Sequence, residues 1–293
     1  MSFHTIGIIA RPGDRTPGAF HNLLNYLKNR QCEVLLEDNT ALHQQESRYP
    51  AFDRAELCAK SDLIIVIGGD GTLLGTARQA VLYDTPILGI NLGRLGFLVD
   101  ISPEEMLQSL DHVFDGNYEV DSRSVLEACF VDENGSHTAL AINDVVLHKW
   151  NTARLIEFET MIDGHYVEKQ RSDGLIISTP TGSTAYALSG GGPLLHPALD
   201  AIALVPICPH TLSNRPIVID GNAEITIKVC GDTPADQVRI TCDGQDSLAL
   251  PSEDKKFIIK RHKHSVRLIH PPGYDHFQIL RNKLGWGNHH ARK

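Results

Sequence analysis

Five consecutive apolar residues, Leu63–Ile67, run directly into the loop Gly68-Gly69-Asp70-Gly71-Thr72. A short run of Leu, Ile and Val that ends in glycines is typical of a central parallel strand covered on both faces. In a parallel sheet, ligands bind beyond the carboxyl ends of the strands. The loop therefore predicts a binding site at the end of a buried strand, in a region where strands and helices alternate.

The segment from Thr5 to about residue 116 shows this alternation throughout. The residues of one helical stripe recur at spacings of three and four, and the strand-like runs are short and apolar. Further strands are predicted at Thr5–Ala10, Cys32–Glu37 and Pro86–Ile90, and helices around residues 20–27, at residues 51–60, at Thr72–Leu82 and after a Ser102 cap with Pro103 at the first helical position. A β-α-β-α order indicates a parallel, Rossmann-like sheet with right-handed crossovers.

The second half of the chain has a different pattern. From Tyr118 to about His270 the segments are short, β-rich and separated by turn residues such as Asp163-Gly164 and Gly231-Asp232. Phe277, Leu280 and Leu284 then predict a closing helix. The sequence thus predicts an α/β domain at residues 1–117, completed by residues 272–293 with a helix that returns to it, and a β-rich domain of layered sheets at residues 118–271.

Charge and composition restrict the function further. The formal net charge of −9 argues against a nucleic-acid binder, which usually presents a basic surface to phosphates. The six cysteines are scattered without a C-x-x-C pair, as expected in a reducing cytosol. No run of eighteen apolar residues and no signal-like N-terminal segment occurs, so we expect a cytoplasmic protein with no membrane partner.

The glycine loop has the residue types that bind phosphate. Gly68, Gly69 and Gly71 let the backbone turn tightly beside a ligand, and Thr72 is placed to cap the following helix. The helix N-terminus offers free N–H groups to an anion. Asp70 would repel phosphate unless it has a chemical task, and two tasks fit: accepting the proton of an attacking hydroxyl, or helping to hold Mg²⁺. The loop lacks the Gly-Lys-Ser/Thr ending of a Walker A motif.

A second glycine turn, Gly89–Phe97, follows the next predicted strand. Because it also lies at a strand's carboxyl end, it is placed to help wall the same site, with Arg94 on phosphate. A structural turn with Arg94 in solvent explains the pattern equally well.

A run rich in hydroxyls and glycines, Thr179–Tyr186, comes after a third apolar segment and is followed by Gly190–Pro193. Hydroxyls and N–H groups pair with sugar and phosphate oxygens, and the Tyr186 ring can stack on a base. An amide and a carboxylate at Asn143-Asp144 can read an adenine edge. Ordinary capping and turn chemistry is the alternative for each piece.

Taken together, these motifs resemble those of bacterial NAD kinases, the ATP-NAD kinase family. The resemblance runs from about residue 5 to Trp286. It is carried by Gly68–Gly71, Gly93-x-x-Gly96-Phe97, Asn143-Asp144, Arg171–Gly174, Thr179–Tyr186 and Cys242–Gln245. The first loop alone also occurs in phosphofructokinases and in diacylglycerol and sphingosine kinases. Position 144 is commonly Glu in the family and is Asp here, and the family pattern varies at position 154.

The resemblance implies a reaction and a set of residues. It implies transfer of the γ-phosphoryl of ATP to the 2′-hydroxyl of the adenosine ribose of NAD⁺, with Mg²⁺ as the metal and Asp70 as catalytic base. It also implies a homodimer or homotetramer built through the β-rich domain. The substrate-binding positions that it implies are Asp70, Gly71, Asn143, Asp144, Arg154, Arg171, Asp173, Thr184, Ala185, Tyr186, Ser189 and Gln245.

Two other functions remain open at this point. One is another kinase built on the same glycine loop, acting on a lipid or a sugar phosphate. The other is a non-catalytic NAD(H) sensor, which would keep the hydroxyl-rich pocket but would not need Asp70 or a metal.

Overall fold

The computed structural model of the chain describes residues 3–13, 16–93, 96–132, 135–249 and 256–286. The strands are β1 (Thr5–Ala10), β2 (Glu33–Glu37), β3 (Ala51–Phe52), β4 (Leu63–Gly68), β5 (Ile87–Asn91), β6 (Glu119–Arg123), β7 (Leu126–Asp132), β8 (Gly135–Ala141), β9 (Asp144–Lys149), β10 (Ile156–Ile162), β11 (His165–Ser172), β12 (Gly174–Ser178), β13 (Ala201–Ile207), β14 (Ile217–Asp220), β15 (Ile225–Val229), β16 (Val238–Cys242), β17 (Asp246–Ala249), β18 (Lys256–Arg261) and β19 (Val266–His270). The α-helices are α1 (Thr16–Asn29), α2 (Asp38–Gln44), α3 (Arg54–Lys60), α4 (Asp70–Ala80), α5 (Met106–Phe114), α6 (Tyr186–Ser189) and α7 (His276–Leu284), and short 3₁₀ turns lie at Thr181–Thr184 and Ala235–Gln237.

The chain forms two compact units. The first contains residues 1–122 and 266–293, and the second contains residues 123–265. The sequence analysis placed the corresponding boundaries at 117/118 and 271/272. The difference arises because β6 and β19 join the sheet of the first unit instead of the β-rich unit.

The first unit is built on a seven-stranded sheet with the order β3-β2-β1-β4-β5-β19-β6. β1 pairs in parallel with both β2 and β4, and β5 pairs in parallel with β4 and β19. The order reverses between β1 and β4, the position at which sheets of this kind bind ligands beyond the carboxyl ends of their strands. The predicted α/β class with a parallel sheet is confirmed.

The core of the first unit lies between this sheet and its helices. Leu63–Ile67 is fully buried, as predicted for a central strand. One face packs against the stripe of α1 formed by Phe20, Leu23, Leu24 and Leu27, and the same cluster includes Leu110 of α5. In α7, Ile279 and Leu280 are buried, whereas Phe277 is exposed. The predicted closing helix is therefore present and belongs to the first unit.

Two predicted helix starts differ from the structure. The helix after the glycine loop begins at Asp70, not at Thr72, because the Gly69 carbonyl accepts the amides of Thr72 and Leu73 at 3.0 and 3.2 Å and so makes Gly69 the cap. The Ser102 hydroxyl does bond Glu105 as expected for a capping box. α5 nevertheless begins at Met106, because Glu105 N–H donates to the Ser102 carbonyl in a tighter turn.

The second unit contains two six-stranded sheets. Their orders are β11-β10-β15-β18-β7-β8 and β14-β13-β12-β9-β16-β17, and their recorded pairings are antiparallel. Alternate residues of facing strands, such as Val145 and Leu147 of β9 and Phe158 of β10, fill one buried cluster. The predicted fold class of this domain, β-rich with layered sheets, is confirmed. No helix within the described part of the chain combines the length and apolar character that a membrane span requires.

Candidate active site

The glycine loop of the first unit joins β4 to α4 at the point where the strand order reverses. Gly68 ends β4, and its carbonyl accepts the Leu92 amide from the end of β5 at 3.3 Å. Gly69 is the cap of α4, so the first amides of the helix point out beyond the carboxyl edge of the sheet. Gly71 is exposed at this end. The glycine backbone and the positive end of the α4 dipole make this position favourable for an anion.

The Asp70 carboxylate is held by the second glycine turn. Oδ2 accepts the Phe97 amide at 2.8 Å, and Oδ1 accepts the Leu98 and Val99 amides at 3.2 Å each. A carboxylate has about two acceptor positions on each oxygen. Oδ1 is saturated by these contacts, whereas Oδ2 keeps one position for a further donor. Asp70 as a residue is half-buried.

The second glycine turn closes on itself. The side chain of Asn91 accepts a hydrogen bond from the Gly93 backbone amide and donates one to the Val99 carbonyl. The backbone amide of Asn91 donates to the Ile101 carbonyl. Residues 96–99, at the end of this turn, hold Asp70 through backbone amides, and we call them the amide clamp. Arg94, the predicted phosphate contact, lies outside the described residues.

Gly96 is required by the closeness of the clamp to Asp70. A Cβ at this position would lie 2.0 Å from Asp70 Oδ1, and the short aspartate side chain cannot withdraw without breaking its amide bonds. We therefore expect Gly96→Ala to lower turnover at least about tenfold and to destabilise the first unit by roughly 1–3 kcal/mol through lost hydrogen bonds. Steady-state kinetics and urea unfolding measure the two effects.

Gly18→Ala is the matched control for this prediction. Gly18 is exposed on α1 of the same unit, and a Cβ there meets nothing within 4 Å. We expect its turnover to equal that of the wild type. Equal turnover of Gly96→Ala and Gly18→Ala would show that the clamp tolerates displacement of Asp70.

A cavity of about 440 Å³ opens on one face of the second sheet of the second unit. Side chains of a strand alternate between faces, so Asp144, Val146 and His148 of β9 share this face while Val145 and Leu147 enter the core. Among the described residues, its lining is formed by Asn143, Asp144, Val146, His148, Ala185, Tyr186, Thr241, Asp243 and Gly244. Tyr186 is about half exposed, with 47% of its surface accessible, so its ring is available for stacking.

Asp243 organises the polar end of this cavity. Its Oδ1 accepts the Asn143 amide at 2.8 Å, the Ile142 amide at 3.0 Å and the Asp144 amide at 3.4 Å. Both units thus use an aspartate to hold three consecutive backbone amides. Asp243 and Gly244 belong to the motif Cys242–Gln245, but the sequence predicted no role for them and did not single out Val146, His148 or Thr241. Strand alternation from Asp144 would have found Val146 and His148.

Asp144 is a buried carboxyl group at the start of β9. Burial raises its pKa from the usual 3.8 to about 7, and the nearby negative charge of Asp243 adds to the shift. The Tyr186 amide donates to Asp144 and acts in the opposite direction. Asp144 therefore carries its proton over much of the acidic and neutral range, and it can donate as well as accept a hydrogen bond.

The hydroxyls of the Thr179–Tyr186 run are used mainly to build the turn. Thr179 Oγ1 donates to the Ile142 carbonyl at 2.6 Å, Ser183 Oγ donates to the Pro180 carbonyl at 2.6 Å, and Thr184 Oγ1 donates to the Thr181 carbonyl at 3.1 Å. Gly182 is needed because a Cβ there would lie 2.1 Å from the Asn143 carbonyl oxygen. These hydroxyls thus help to build the turn, and their predicted pairing with a sugar or phosphate stays a prediction.

The structure brings together four of the predicted substrate contacts and leaves others apart. Asn143, Asp144, Ala185 and Tyr186 line the cavity. The remaining predicted positions of the second unit are not among its lining residues: Arg154, Arg171, Asp173, Thr184, Ser189 and Gln245. Asp173 forms an ion pair with Lys149 at 2.6 Å, and Arg171 is exposed beside Glu157.

The residues present do not form a protein-held metal site. Among the described residues, no three His, Cys, Asp or Glu side chains are grouped to hold an ion. Asp70 is the one carboxylate of the glycine loop, and three amides already occupy it. Mg²⁺ in phosphoryl-transfer sites is commonly held by substrate phosphates and one or two carboxylates. This donor set fits a metal that arrives on the phosphates of a nucleotide.

Comparisons with known proteins identify the class of this fold and site. The ATP-NAD kinase N-terminal domain matches residues 6–118, and the ATP-NAD kinase C-terminal domain matches residues 142–270. The NAD kinase of Teredinibacter turnerae is 48% identical over 99% of each chain. The NAD kinase of Halorhodospira halophila is 49% identical over 97% of this chain and 94% of its own.

Solved structures give the same result. The yeast NADH kinase complexed with NADH aligns with a TM-score of 0.89 and 25% identity, over 98% of this chain and 89% of that one. An NAD kinase from Archaeoglobus fulgidus in complex with ATP aligns with a TM-score of 0.73 and 26% identity, over 96% and 97%. This chain belongs to the ATP-NAD kinase family. The predicted NAD⁺ kinase activity, a phosphotransferase activity, is thereby confirmed.

Proposed function

We propose that the chain transfers the γ-phosphoryl group of ATP to the 2′-hydroxyl of the adenosine ribose of NAD⁺ and so forms NADP⁺ and ADP. The observation that carries this proposal is the pair of preformed sites. A helix N-terminus with a half-buried carboxylate lies in the first unit, and a cavity with an aromatic ring, a half-buried amide and a buried carboxyl group lies in the second. NAD⁺ and ATP as substrates agree with the family and with the NADH and ATP bound by the structural neighbours.

In the first unit, the positive end of the α4 dipole and the backbone of the glycine loop attract the phosphate groups of ATP. The amide clamp keeps the Asp70 carboxylate fixed, and Oδ2 takes the proton of the attacking hydroxyl at its remaining acceptor position. Phosphoryl transfer depends mainly on positioning and charge neutralisation, so a rigidly held base contributes by orientation as much as by basicity.

In the second unit, the cavity binds the adenosine part of NAD⁺. Tyr186 stacks on the base, and the Asn143 and Asp144 side chains bond its polar edge. Protonated Asp144 donates to a ring nitrogen, and ionised Asp144 accepts from the exocyclic amine. Ala185 packs at the cavity wall.

The other predicted features belong to this proposal as well. Mg²⁺ enters as the complex with ATP, with phosphate oxygens as its ligands. Arg154, Arg171, Asp173, Thr184, Ser189 and Gln245 contact the dinucleotide, some of them across a subunit interface of a homodimer or homotetramer. The protein acts in the cytoplasm.

NADP⁺ formation by the purified chain tests the proposal directly. ATP, Mg²⁺ and NAD⁺ are supplied, and a coupled NADP⁺-specific dehydrogenase reports the product. We expect product that depends on ATP and on the metal. NAD⁺ binding without ATP consumption would indicate a sensor, and phosphorylation of a sugar phosphate or lipid in place of NAD⁺ would indicate another kinase with the same glycine loop.

A further inference from the structure

His270, the last residue of β19, lies buried between two carboxylates. Its Nδ1 is 3.3 Å from Asp100 Oδ2, and its Nε2 is 3.7 Å from Asp121 Oδ2. The side chain is 4% exposed, and its ring stacks on Tyr274 with centroids 3.9 Å apart. Both separations exceed an ideal hydrogen bond, so the arrangement is a charge-paired triad rather than a pair of short hydrogen bonds. The reaction proposed above gives this triad no role.

Asp100 connects the triad to the amide clamp. It directly follows Val99, whose amide donates to Asp70, and it directly precedes Ile101, which bridges to Ile90 of β5. A displacement of Asp100 therefore moves the backbone that holds the proposed base. Asp121 belongs to β6, the neighbour of β19 at the sheet edge, and it fixes the opposite side of the imidazole ring.

The same C-terminal segment contacts the clamp at its other end. Lys283 of α7 places its ammonium group 5.5 Å from the centroid of the Phe97 ring. The segment of residues 266–284 thus contacts the ring of Phe97, the first residue whose amide bonds Asp70, and Asp100, which follows the last of them. The His270 imidazolium pairs with a carboxylate, and the Lys283 ammonium group lies over an aromatic ring.

We propose that His270 in its protonated form is a positioning residue for catalysis, which holds Asp100 and thereby keeps the amide clamp closed on Asp70. This proposal rests on the proposed function of Asp70 as the base. Imidazolium attracts both carboxylates through its positive charge, whereas neutral imidazole has no charge with which to hold Asp100 or Asp121. Loss of the proton therefore loosens the clamp without touching the substrates.

The charged groups around the ring favour the protonated form. Burial alone would lower the pKa of His270, but Asp100 and Asp121 outweigh it and raise the pKa above the usual value. The titratable groups that face the ring are Asp100 from the segment after the clamp, Asp121 from β6 and Tyr274 from the turn before α7. The adjoining β5 has the sequence Ile-Leu-Gly-Ile-Asn and supplies no charge.

Three variants test the proposal in the full chain. His270→Gln keeps a donor but cannot be charged, Asp121→Asn weakens the charge pairing while leaving Asp100 in place, and His112→Gln on the exposed face of α5 is the control. The measurements are kcat and KM for NAD⁺ between pH 6 and 9.5, and hydrogen exchange of the amides of residues 97–99 corrected for the intrinsic pH dependence.

We expect kcat of the wild type to fall at alkaline pH as His270 loses its proton, with the protection of the three amides falling over the same range. His270→Gln lowers kcat about 10- to 100-fold with KM for NAD⁺ nearly unchanged, because misplacement of a reacting group affects the chemical step most. This variant lacks the alkaline fall, and its clamp amides exchange faster at every pH. Asp121→Asn moves the fall to lower pH by about one unit or more, since one opposite charge is removed.

An unchanged alkaline limb in both His270→Gln and Asp121→Asn would overturn the proposal, as would unchanged exchange of residues 97–99. If His270→Gln does not fold, Asp121→Asn and the pH dependence of exchange in the wild type decide the matter. Exchange does not require activity, so failure of the kinase function and failure of this inference give different results.

Discussion

Replacing Asp70 with asparagine is expected to lower turnover by about 10²–10⁴-fold, the usual contribution of a general base. The remaining acceptor position of Oδ2 is the feature that qualifies Asp70 for this task, and an amide at the same place cannot take a proton. Kd for NAD⁺, measured by calorimetry, should change by less than about threefold because the cavity of the second unit is untouched. The coupled assay for NADP⁺ gives the turnover.

The Asp70→Asn variant also loses amide contacts, and a second variant separates the two effects. Asp62 accepts the amides of His4 and Thr5 at 3.0 and 2.9 Å in the same unit, so Asp62→Asn removes the same kind of contact away from the glycine loop. We expect Asp62→Asn to retain wild-type turnover. Asp70→Asn within about tenfold of the wild type would show that the carboxylate serves only to anchor the clamp.

Replacing Asp144 with asparagine is expected to raise the free energy of unfolding relative to the wild type, and this gain should be larger at pH 8 than at pH 5. With a pKa of about 7 in the folded state and 3.8 as the usual value, folded Asp144 keeps a proton that the unfolded chain has already released between about pH 4 and 7. The unfolded state binds fewer protons, so the free energy of unfolding of the wild type falls as pH rises through this window. From pH 5 to pH 8 the loss amounts to about 2–3 kcal/mol.

Asparagine does not titrate, so the variant should lack this loss, and its stability relative to the wild type should rise by the same amount from pH 5 to pH 8. Urea unfolding followed by Trp150, in a Trp286→Phe background, reports the unit that contains Asp144. Asp163→Asn, at an exposed turn of the same unit, is the control and should follow the wild type at both pH values. A pH-independent difference between Asp144→Asn and the wild type would contradict the assigned burial cost.

Local patterns pointed to both places because short apolar strands there adjoin glycines or polar residues. Leu63–Ile67 could be assigned to a central strand since a run without alternation must be covered on both faces. Asn143-Asp144 and Tyr186 were found through residue type and order, and the fold brings them to one cavity. In each case, the chemistry depends on side chains that are close in sequence or that follow strand ends.

The partners of the two aspartates could not be predicted. Asp70 is held by amides 27 to 29 residues away, and Asp243 holds amides about 100 residues away. Backbone N–H groups occur at every residue type except proline, so the sequence has no signal for which of them converge on a carboxylate. For the same reason, the sequence did not predict that β6 and β19 join the first sheet, because the residue pattern of a strand does not indicate which strand it pairs with.

The position of β19 has a consequence for synthesis of the chain on the ribosome. β5 is flanked by β4 and β19, and β19 is translated only after the whole of residues 123–265. At about 5–20 residues per second, β5 presents an open edge for roughly 7–30 s while the second unit emerges and folds. Open edges template pairing with other chains. Slow codons or stalling within residues 123–265 should therefore lower the soluble yield.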